Sequence, residues 1–154
     1  MTTTAIAVEP VRRRNLANPP VPQWEISGPA ARKIPRRVLV VDDEPLIRWS
    51  VTETLTELGL DVEQASDAAS ALKAITTNAL EFDVVVLDLR LPDMKDLSLL
   101  GTVRQLLPDA SVVLMTAFGT DEIVEDAIAL GAVTVLNKPF ELGRLIDAVY
   151  GVPN

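Results

Sequence analysis

Short apolar segments alternate with helical segments five times between residues 37 and 151. The apolar segments read RVLVV, LDVEQA, FDVVVLD, SVVLMTA and AVTVLNKP, and most of them have apolar residues at consecutive positions. Strands that are apolar on both faces are typical of a parallel sheet covered by helices on both sides. LDVEQA alternates polar and apolar residues, so we expect it to be less deeply buried. The alternation predicts an α/β protein, a (βα)5 three-layer sandwich.

The connections restrict how the five strands can be arranged. Right-handed crossovers between parallel strands leave chiefly the flavodoxin-like order 2-1-3-4-5. The helix boundaries are also marked in the sequence. Pro45 suits the first turn of the first helix and Gly59 its C-terminal end, while Asp67 can cap the second helix. Thr120 or Asp121 can start the fourth helix.

The N-terminal segment differs in composition from the rest of the chain. Residues 1–36 contain six of the eleven prolines and show no helical or strand periodicity. We therefore expect a flexible, Pro-rich basic extension over 1–36 and one domain over 37–154. Net charge is +5 over residues 1–37 and −13 over 38–154. The acidic domain argues against nucleic-acid binding, and only the basic extension could supply it.

Two residue types are missing, and their absence excludes several kinds of site. The chain has no cysteine and no histidine. Disulfide frameworks, thiolate zinc sites, Ser-His-Asp triads and histidine-ligated metals are therefore excluded. We also find no signal peptide and no apolar run long enough to span a membrane. The sequence thus favours a cytoplasmic location without membrane attachment.

Acidic residues stand where two predicted strands end. Asp42 and Asp43 follow the first strand directly, and Asp88 ends the third. In the predicted order these strands are neighbours, and ligands of such sheets bind beyond the carboxyl ends of the strands at this point. Thr116 ends the fourth strand and Lys138 the fifth. The sequence therefore predicts one site that combines three carboxylates, a hydroxyl and an ammonium group.

The residue types in this site suit phosphoryl chemistry. Carboxylate oxygens without histidine or cysteine favour Mg²⁺, whose ligand set a phosphoryl oxygen could complete. Asp88 could act as a nucleophile while Mg²⁺ and Lys138 offset the negative charge, and Thr116 could donate to a phosphoryl oxygen. A plainer interpretation is that Asp42 and Asp43 only cap the first helix. That alternative leaves Asp88 unexplained.

Four segments together resemble a known family. VLVVDDEP, VVVLDLRLPDM, VLMTAFG and GAVTVLNKPF resemble the receiver domain of two-component response regulators, in the same order, over roughly residues 37–151. The resemblance implies that Asp88 accepts a phosphoryl group from a sensor histidine kinase or a histidine phosphotransfer protein. It also implies a Mg²⁺ site formed by Asp42, Asp43, Asp88 and the backbone carbonyl of Arg90.

The resemblance further implies how the site would signal. Thr116 would move toward the phosphoryl group, Lys138 would pair with it, and Lys138–Pro139 would be a cis peptide. A surface made by the fourth helix, the fifth strand and the fifth helix would meet a downstream partner, which the sequence does not identify, or a second copy in a homodimer. Such a domain is a signalling module and not an enzyme.

Three features depart from the family pattern. Val135 occupies the position of the usual Tyr or Phe, so a rotating aromatic ring cannot be the switch. Asp96 replaces a loop glycine. Arg90 and Phe118, each two residues beyond Asp88 and Thr116, occupy positions that tune phosphoryl lifetime in the family. A bulky pair at these positions could shield the acyl phosphate from water.

Several functions are compatible with these features. The leading hypothesis is a stand-alone receiver that acts in a phosphorelay or by protein contact, since the fifth helix lies just before Asn154. The alternatives are the receiver part of a larger transcription regulator, or a DNA-associated regulator that binds phosphates through its basic N-terminal extension. A magnesium-dependent phosphatase is weaker, because such enzymes usually have an acid where this chain has Arg90.

Overall fold

Residues 34–77 and 82–151 are described by the structure, a computed structural model of the chain. Strands and helices alternate throughout this part of the chain. The strands are β1 (Arg37–Val41), β2 (Asp61–Ala65), β3 (Val84–Asp88), β4 (Ser111–Thr116) and β5 (Ala132–Asn137). The helices are α1 (Pro45–Glu57), α2 (Ala68–Thr77), α3 (Ser98–Leu106), α4 (Asp121–Ala129) and α5 (Leu142–Val149). The predicted flexible extension lies largely outside the described residues.

The five strands form one parallel sheet in the order β2-β1-β3-β4-β5, which confirms the predicted 2-1-3-4-5 arrangement. Val38 is in register with Val62 on one side and with Val84 on the other. β3 is buried along its whole length, whereas β2 is buried only at Ala65. The less buried strand is therefore the one whose sequence alternates, as expected for an edge position.

Alternate residues of β1 face two different cores. Leu39 and Val41 pack into a cluster with buried residues of α2, α3 and α4. Val38 and Val40 pack into a second cluster with Val51 of α1 and other buried residues of α1 and α5. Because successive side chains of a strand point to opposite faces, one apolar strand serves both cores. The result is a three-layer sandwich with α1 and α5 on one side of the sheet.

The helix boundaries follow the signals in the sequence. α1 begins at Pro45 and ends before Gly59, whose φ of +88° lies in the left-handed region that glycine tolerates. Thr120 caps α4 by accepting a hydrogen bond from the backbone N–H of Ile123. Trp49 of α1 lies on the exposed side of the helix, with 60% of its surface accessible. No helix among the described residues is both long and apolar enough to cross a membrane.

Candidate functional site

Three polar side chains are buried in the part of the chain that the structure describes: Asp42, Asp88 and Thr116. Each stands at the carboxyl end of a central strand, directly after β1 or as the last residue of β3 or β4. Burying a carboxylate is costly unless it is paired and hydrogen-bonded. Their common position at one edge of the sheet therefore marks a site and not incidental polarity in the core.

Lys138 supplies the positive charge for this cluster. Its Nζ lies 2.9 Å from Oδ2 of Asp42 and 3.3 Å from Oδ2 of Asp88. The same Nζ lies 3.2 Å from Oε1 of Glu44, a partner that the sequence did not predict. The Lys138 side chain is 10% exposed, so these ion pairs are largely shielded from water. One ammonium group thus compensates carboxylates from two different strand ends and from the loop before α1.

Burial changes the protonation of Asp88. Burial and the nearby negative charge of Asp42 raise the pKa of Asp88 to about 6, although Lys138 and the backbone N–H of Arg90 act in the opposite direction. Burial alone would lower the pKa of Lys138, but its hydrogen bond to Asp42 and the surrounding carboxylates raise it above its ordinary value. Lys138 therefore stays charged beside a carboxylate that is close to titration near neutral pH.

The carboxylates are close enough together to share one cation. Asp42, Asp43 and Asp88 each offer an oxygen, and these three oxygens all lie within 4.8 Å of one another. Asp42 and Asp88 are buried, whereas Asp43 is exposed at the mouth of the site. An all-oxygen donor set with one solvent-accessible side fits Mg²⁺, which commonly retains some of its waters. The donor set thus suits the predicted ion.

The helix-cap interpretation of the acidic pair does not explain these contacts. The residue before α1 is Glu44, and its side chain makes no capping hydrogen bond. Asp42 instead accepts a hydrogen bond from the backbone N–H of Glu44 at 2.8 Å through Oδ1 and binds Lys138 through Oδ2. Arg48 adds a contact that sequence reasoning missed, since its Nη1 donates to the backbone carbonyl of Asp42 at 2.7 Å. No spacing rule pointed to Arg48.

Thr116, the last residue of β4, is hydrogen-bonded on both sides of the strand end. Its hydroxyl oxygen accepts a hydrogen bond from the backbone N–H of Phe118 at 3.0 Å, and its carbonyl accepts one from the backbone N–H of Lys138 at 2.8 Å. A Cβ at Gly119 would lie 3.0 Å from the methyl carbon of Thr116 and would collide with the side-chain amide of Asn137. The loop after β4 therefore packs directly against the end of β5, next to Lys138.

Arg90 and Phe118 form a contact between the loops that follow β3 and β4. The guanidinium carbon of Arg90 lies 4.4 Å from the centre of the Phe118 ring, within the range of a cation–π interaction. Both side chains are exposed, with 58% of the Phe118 surface accessible. The backbone N–H of Arg90 also donates to Oδ1 of Asp88 at 3.3 Å. The two positions flagged in the sequence thus meet each other beyond Asp88 and Thr116.

The two other departures from the family pattern have ordinary local environments. Val135 is half-buried and packs against the core that contains α2, α3 and α4. Asp96 is exposed and accepts a hydrogen bond from the backbone N–H of Ser98 at 2.9 Å. Hydrogen bonds from the side chain and backbone of Ser98 lower the pKa of Asp96. Its carboxylate is therefore engaged at the start of α3. The Lys138–Pro139 peptide is cis, as expected.

Comparison with known proteins identifies the family. The sequence model described as the response regulator receiver domain matches residues 38–150. The chain belongs to the response regulator receiver family. Receiver domains are signalling modules that interact with histidine kinases or phosphotransfer proteins and bind Mg²⁺ at an acidic pocket. The acidic cluster of this receiver stands at the same edge of the sheet as Thr116 and Lys138.

The relatives of this receiver have different lengths. It is 31% identical over 113 residues to sporulation initiation phosphotransferase F of Bacillus subtilis, covering 73% of this chain and 90% of that protein. It is 35% identical over 114 residues to the response regulator protein PilR of Pseudomonas aeruginosa, covering 74% of this chain but only 25% of that protein. Receivers of both short and long regulators are therefore among its relatives.

The fold also matches solved structures. A chain of the CheX–CheY–BeF3–Mg²⁺ complex from Borrelia burgdorferi superposes with a TM-score of 0.72 at 28% identity. The match covers 77% of this chain and 90% of that one. The flavodoxin-like (βα)5 fold predicted from the alternating segments is thus confirmed.

Proposed function

We propose that this receiver accepts a phosphoryl group on Asp88, with Mg²⁺ as cofactor. The observation that carries this proposal is the convergence of Asp88, Asp42 and Lys138 at the carboxyl edge of the sheet, with Nζ of Lys138 3.3 Å from Asp88. An Oδ of Asp88 attacks phosphorus, the bond from phosphorus to the donor breaks, and the donor leaves with the bonding electron pair. The product is an acyl phosphate on Asp88.

The other site residues take roles that follow from their positions. Asp42 and Asp43, with Asp88 and the backbone carbonyl of Arg90, would hold Mg²⁺, which when bound offsets the charge of the phosphoryl oxygens. Lys138 contributes the second positive charge from the end of β5. The Thr116 oxygen accepts a hydrogen bond from the backbone N–H of Phe118, and its hydroxyl proton is then available to donate. We assign it the phosphoryl oxygen as its acceptor in the phosphorylated state.

A histidine phosphodonor is the partner that best fits this receiver. The 154 residues contain no histidine, so a phosphohistidine donor would lie outside them. An exposed apolar surface next to the site, which includes Leu46 and Leu142, suits that contact. A groove of about 300 Å³ in this surface is lined by residues of α1, by Lys138 and the loop that follows it, and by Leu142 at the start of α5. A donor helix bound here would lie beside Asp88 and Lys138.

The output surface is a separate proposal. α4, β5 and α5 present exposed apolar side chains, including Ile128 and Val133, together with acidic residues of α4 such as Glu125. We propose that phosphorylation changes this surface through the loop that joins Thr116 to α4. Because Val135 replaces an aromatic residue, the coupling would pass through the packing of Gly119 against Asn137 and not through a rotating ring.

The type of output has two candidates. The match to full-length short regulators favours a receiver that acts by protein contact or in a phosphorelay, and the match to PilR favours the receiver part of a longer regulator.

We further propose that residues 1–36 form an extension separate from the receiver domain of residues 37–154. Binding of DNA phosphates by this extension would weaken steeply with salt, and deletion of residues 1–36 would abolish it.

The central test is phosphorylation by acetyl phosphate with and without Mg²⁺, followed by intact mass. We expect one added phosphoryl group in the wild type only with Mg²⁺, and none in Asp88→Asn. Asp126→Asn, which removes an exposed carboxylate from α4, is the matched control and should be modified like the wild type. Modification of Asp88→Asn to the same extent would show that Asp88 is not the acceptor.

A further inference from the structure

Asp93 joins two loops at the functional edge of the sheet. It lies in the loop between β3 and α3, five residues after Asp88, yet its side chain binds the start of α2. Oδ1 accepts a hydrogen bond from the backbone N–H of Ala68 at 2.8 Å, and Oδ2 accepts one from Ala69 at 3.0 Å. Each carboxylate oxygen thus accepts a hydrogen bond from one N–H group that precedes Asp93 by more than twenty residues.

These contacts complete the first turn of α2. The N–H groups of Ala68 and Ala69 are taken by Asp93, the N–H of Ser70 donates to Oδ1 of Asp67 at 2.7 Å, and the N–H of Ala71 donates to the Asp67 carbonyl. Asp67 caps α2, as its sequence position predicts, but it accepts hydrogen bonds from only two of these four N–H groups. Hydrogen bonds from Ala68 and Ala69 lower the pKa of Asp93, so the carboxylate is ionised near neutral pH.

Asp93 lies in a turn that backbone hydrogen bonds close. Leu91 and Met94 exchange backbone hydrogen bonds of 3.0 and 3.3 Å, which closes a turn around Pro92 and Asp93. The Leu91 side chain is 1% exposed and packs in the core, and it adjoins Arg90 in the chain. A displacement of Asp93 would therefore reach the backbone of Arg90, because the turn between them has little freedom to absorb it.

We propose that Asp93 is a positioning residue for the Mg²⁺ site: by holding the start of α2, it fixes the backbone after Asp88 in the conformation that binds the ion. This inference rests on the proposed function, because it assigns the ligands Asp88 and the Arg90 carbonyl to Mg²⁺. Groups that orient metal ligands typically change metal affinity by about 10- to 100-fold when they are removed.

The test measures Mg²⁺ affinity of the full chain by calorimetry, with Mn²⁺ binding by electron paramagnetic resonance as a second probe. We expect Asp93→Ala to raise the Mg²⁺ Kd roughly tenfold. Asp93→Asn, which keeps one acceptor oxygen, should give a smaller increase. Asp96→Ala is the matched control, because it removes the same charge from the same loop but breaks only a local hydrogen bond to Ser98. We expect its Kd to stay close to that of the wild type.

A second variant separates the hydrogen bonds from the charge. Ala69→Pro removes one N–H donor without changing charge, at an exposed position in the first turn of α2, where the N–H has no partner within the helix. We expect its Mg²⁺ Kd to rise several-fold. A wild-type Kd in Ala69→Pro, or equal Kd values for Asp93→Ala and Asp96→Ala, would overturn the inference. If Asp93→Ala fails to fold, Asp93→Asn and Ala69→Pro decide the question.

The wild type separates this inference from the proposed function. If the wild type binds neither Mg²⁺ nor Mn²⁺, the proposed function and the role of Asp93 both fall. If the wild type binds Mg²⁺ and the Asp93 variants bind it as tightly as Asp96→Ala does, the role of Asp93 falls and the proposed function stands. A merely structural cap predicts a lower Tm without a change in Kd, so Tm is measured on every variant in the absence of the ion.

Discussion

Nζ of Lys138 lies 2.9 Å from Oδ2 of Asp42, although the two residues are ninety-six positions apart in the chain. Asp42 is fully buried, and Lys138 is the ammonium group that compensates it. The pair joins the end of β5 to the end of β1, strands that are not neighbours in the sheet. It therefore spans the site, with Asp88 of β3 between the two ends.

We expect Lys138→Met to destabilise the protein without Mg²⁺ by about 2 kcal/mol, because it leaves the buried carboxylate of Asp42 without its partner. Methionine retains most of the aliphatic stem, so lost packing contributes little. Denaturation in urea measures the free energy of unfolding, with Lys95→Met, an exposed lysine, as the control. Equal stability of the two variants would show that the ion pair is not needed to offset Asp42.

Asp88→Asn should stabilise the protein without Mg²⁺, and the gain should depend on pH. Burial and Asp42 raise the pKa of Asp88 to about 6 in the folded state, above its ordinary value of 3.8. Protonated Asp88 therefore contributes to the free energy of unfolding fully below about pH 4, and this contribution is lost as pH rises through 6. We expect Asp88→Asn to be more stable by about 2 kcal/mol at pH 8, and by much less at pH 4.5.

Unfolding curves at these two pH values, in the presence of a chelator, measure the difference. A gain that is the same at both values would contradict the proposed titration of Asp88. A loss of stability at pH 8 would mean that the Asp88 carboxylate is stabilised and not strained by its neighbours.

Added Mg²⁺ should raise the Tm of the wild type, because an ion that binds only the folded state stabilises it. At ten times Kd the gain is about 1.4 kcal/mol. Asp43→Asn should lose most of this gain, because it removes the charge of one of the three carboxylates that would hold the ion. Asp121→Asn, an exposed acid in the first turn of α4, should keep it. An undiminished Mg²⁺ response in Asp43→Asn would exclude Asp43 as a ligand.

Phe118→Ala should shorten the lifetime of the phosphorylated state. The ring stacks on Arg90 at 4.4 Å and joins the loops that follow Asp88 and Thr116, so removing it opens a path for water to the acyl phosphate. The measurement is intact mass against time after removal of acetyl phosphate, in comparison with Val133→Ala, which removes an exposed apolar side chain from β5. An unchanged or longer lifetime would show that the Arg90–Phe118 pair does not shield the site.

The sequence by itself determined the strand order and the main site residues. Consecutive apolar residues such as those of β3 can be buried only between two helical layers, and parallel strands bring their carboxyl ends to one edge. The strand pattern therefore suffices to place the main site residues at one edge of the sheet: Asp42, Asp88, Thr116 and Lys138. Local signals also sufficed for the starts of α1 and α4, where Pro45 and Thr120 act within one turn.

Tertiary structure alone decided contacts whose partners are distant in the chain and have no fixed spacing. The capping of α2 by Asp93, the hydrogen bond from Arg48 to the carbonyl of Asp42 and the fit of Gly119 against Asn137 depend on how loops pack, which periodicity does not encode. The exposure of Trp49 was decided in the same way. A helix of this kind can bury only one stripe of its surface, and packing of α1 against the sheet chose the stripe with Val51 and Leu55.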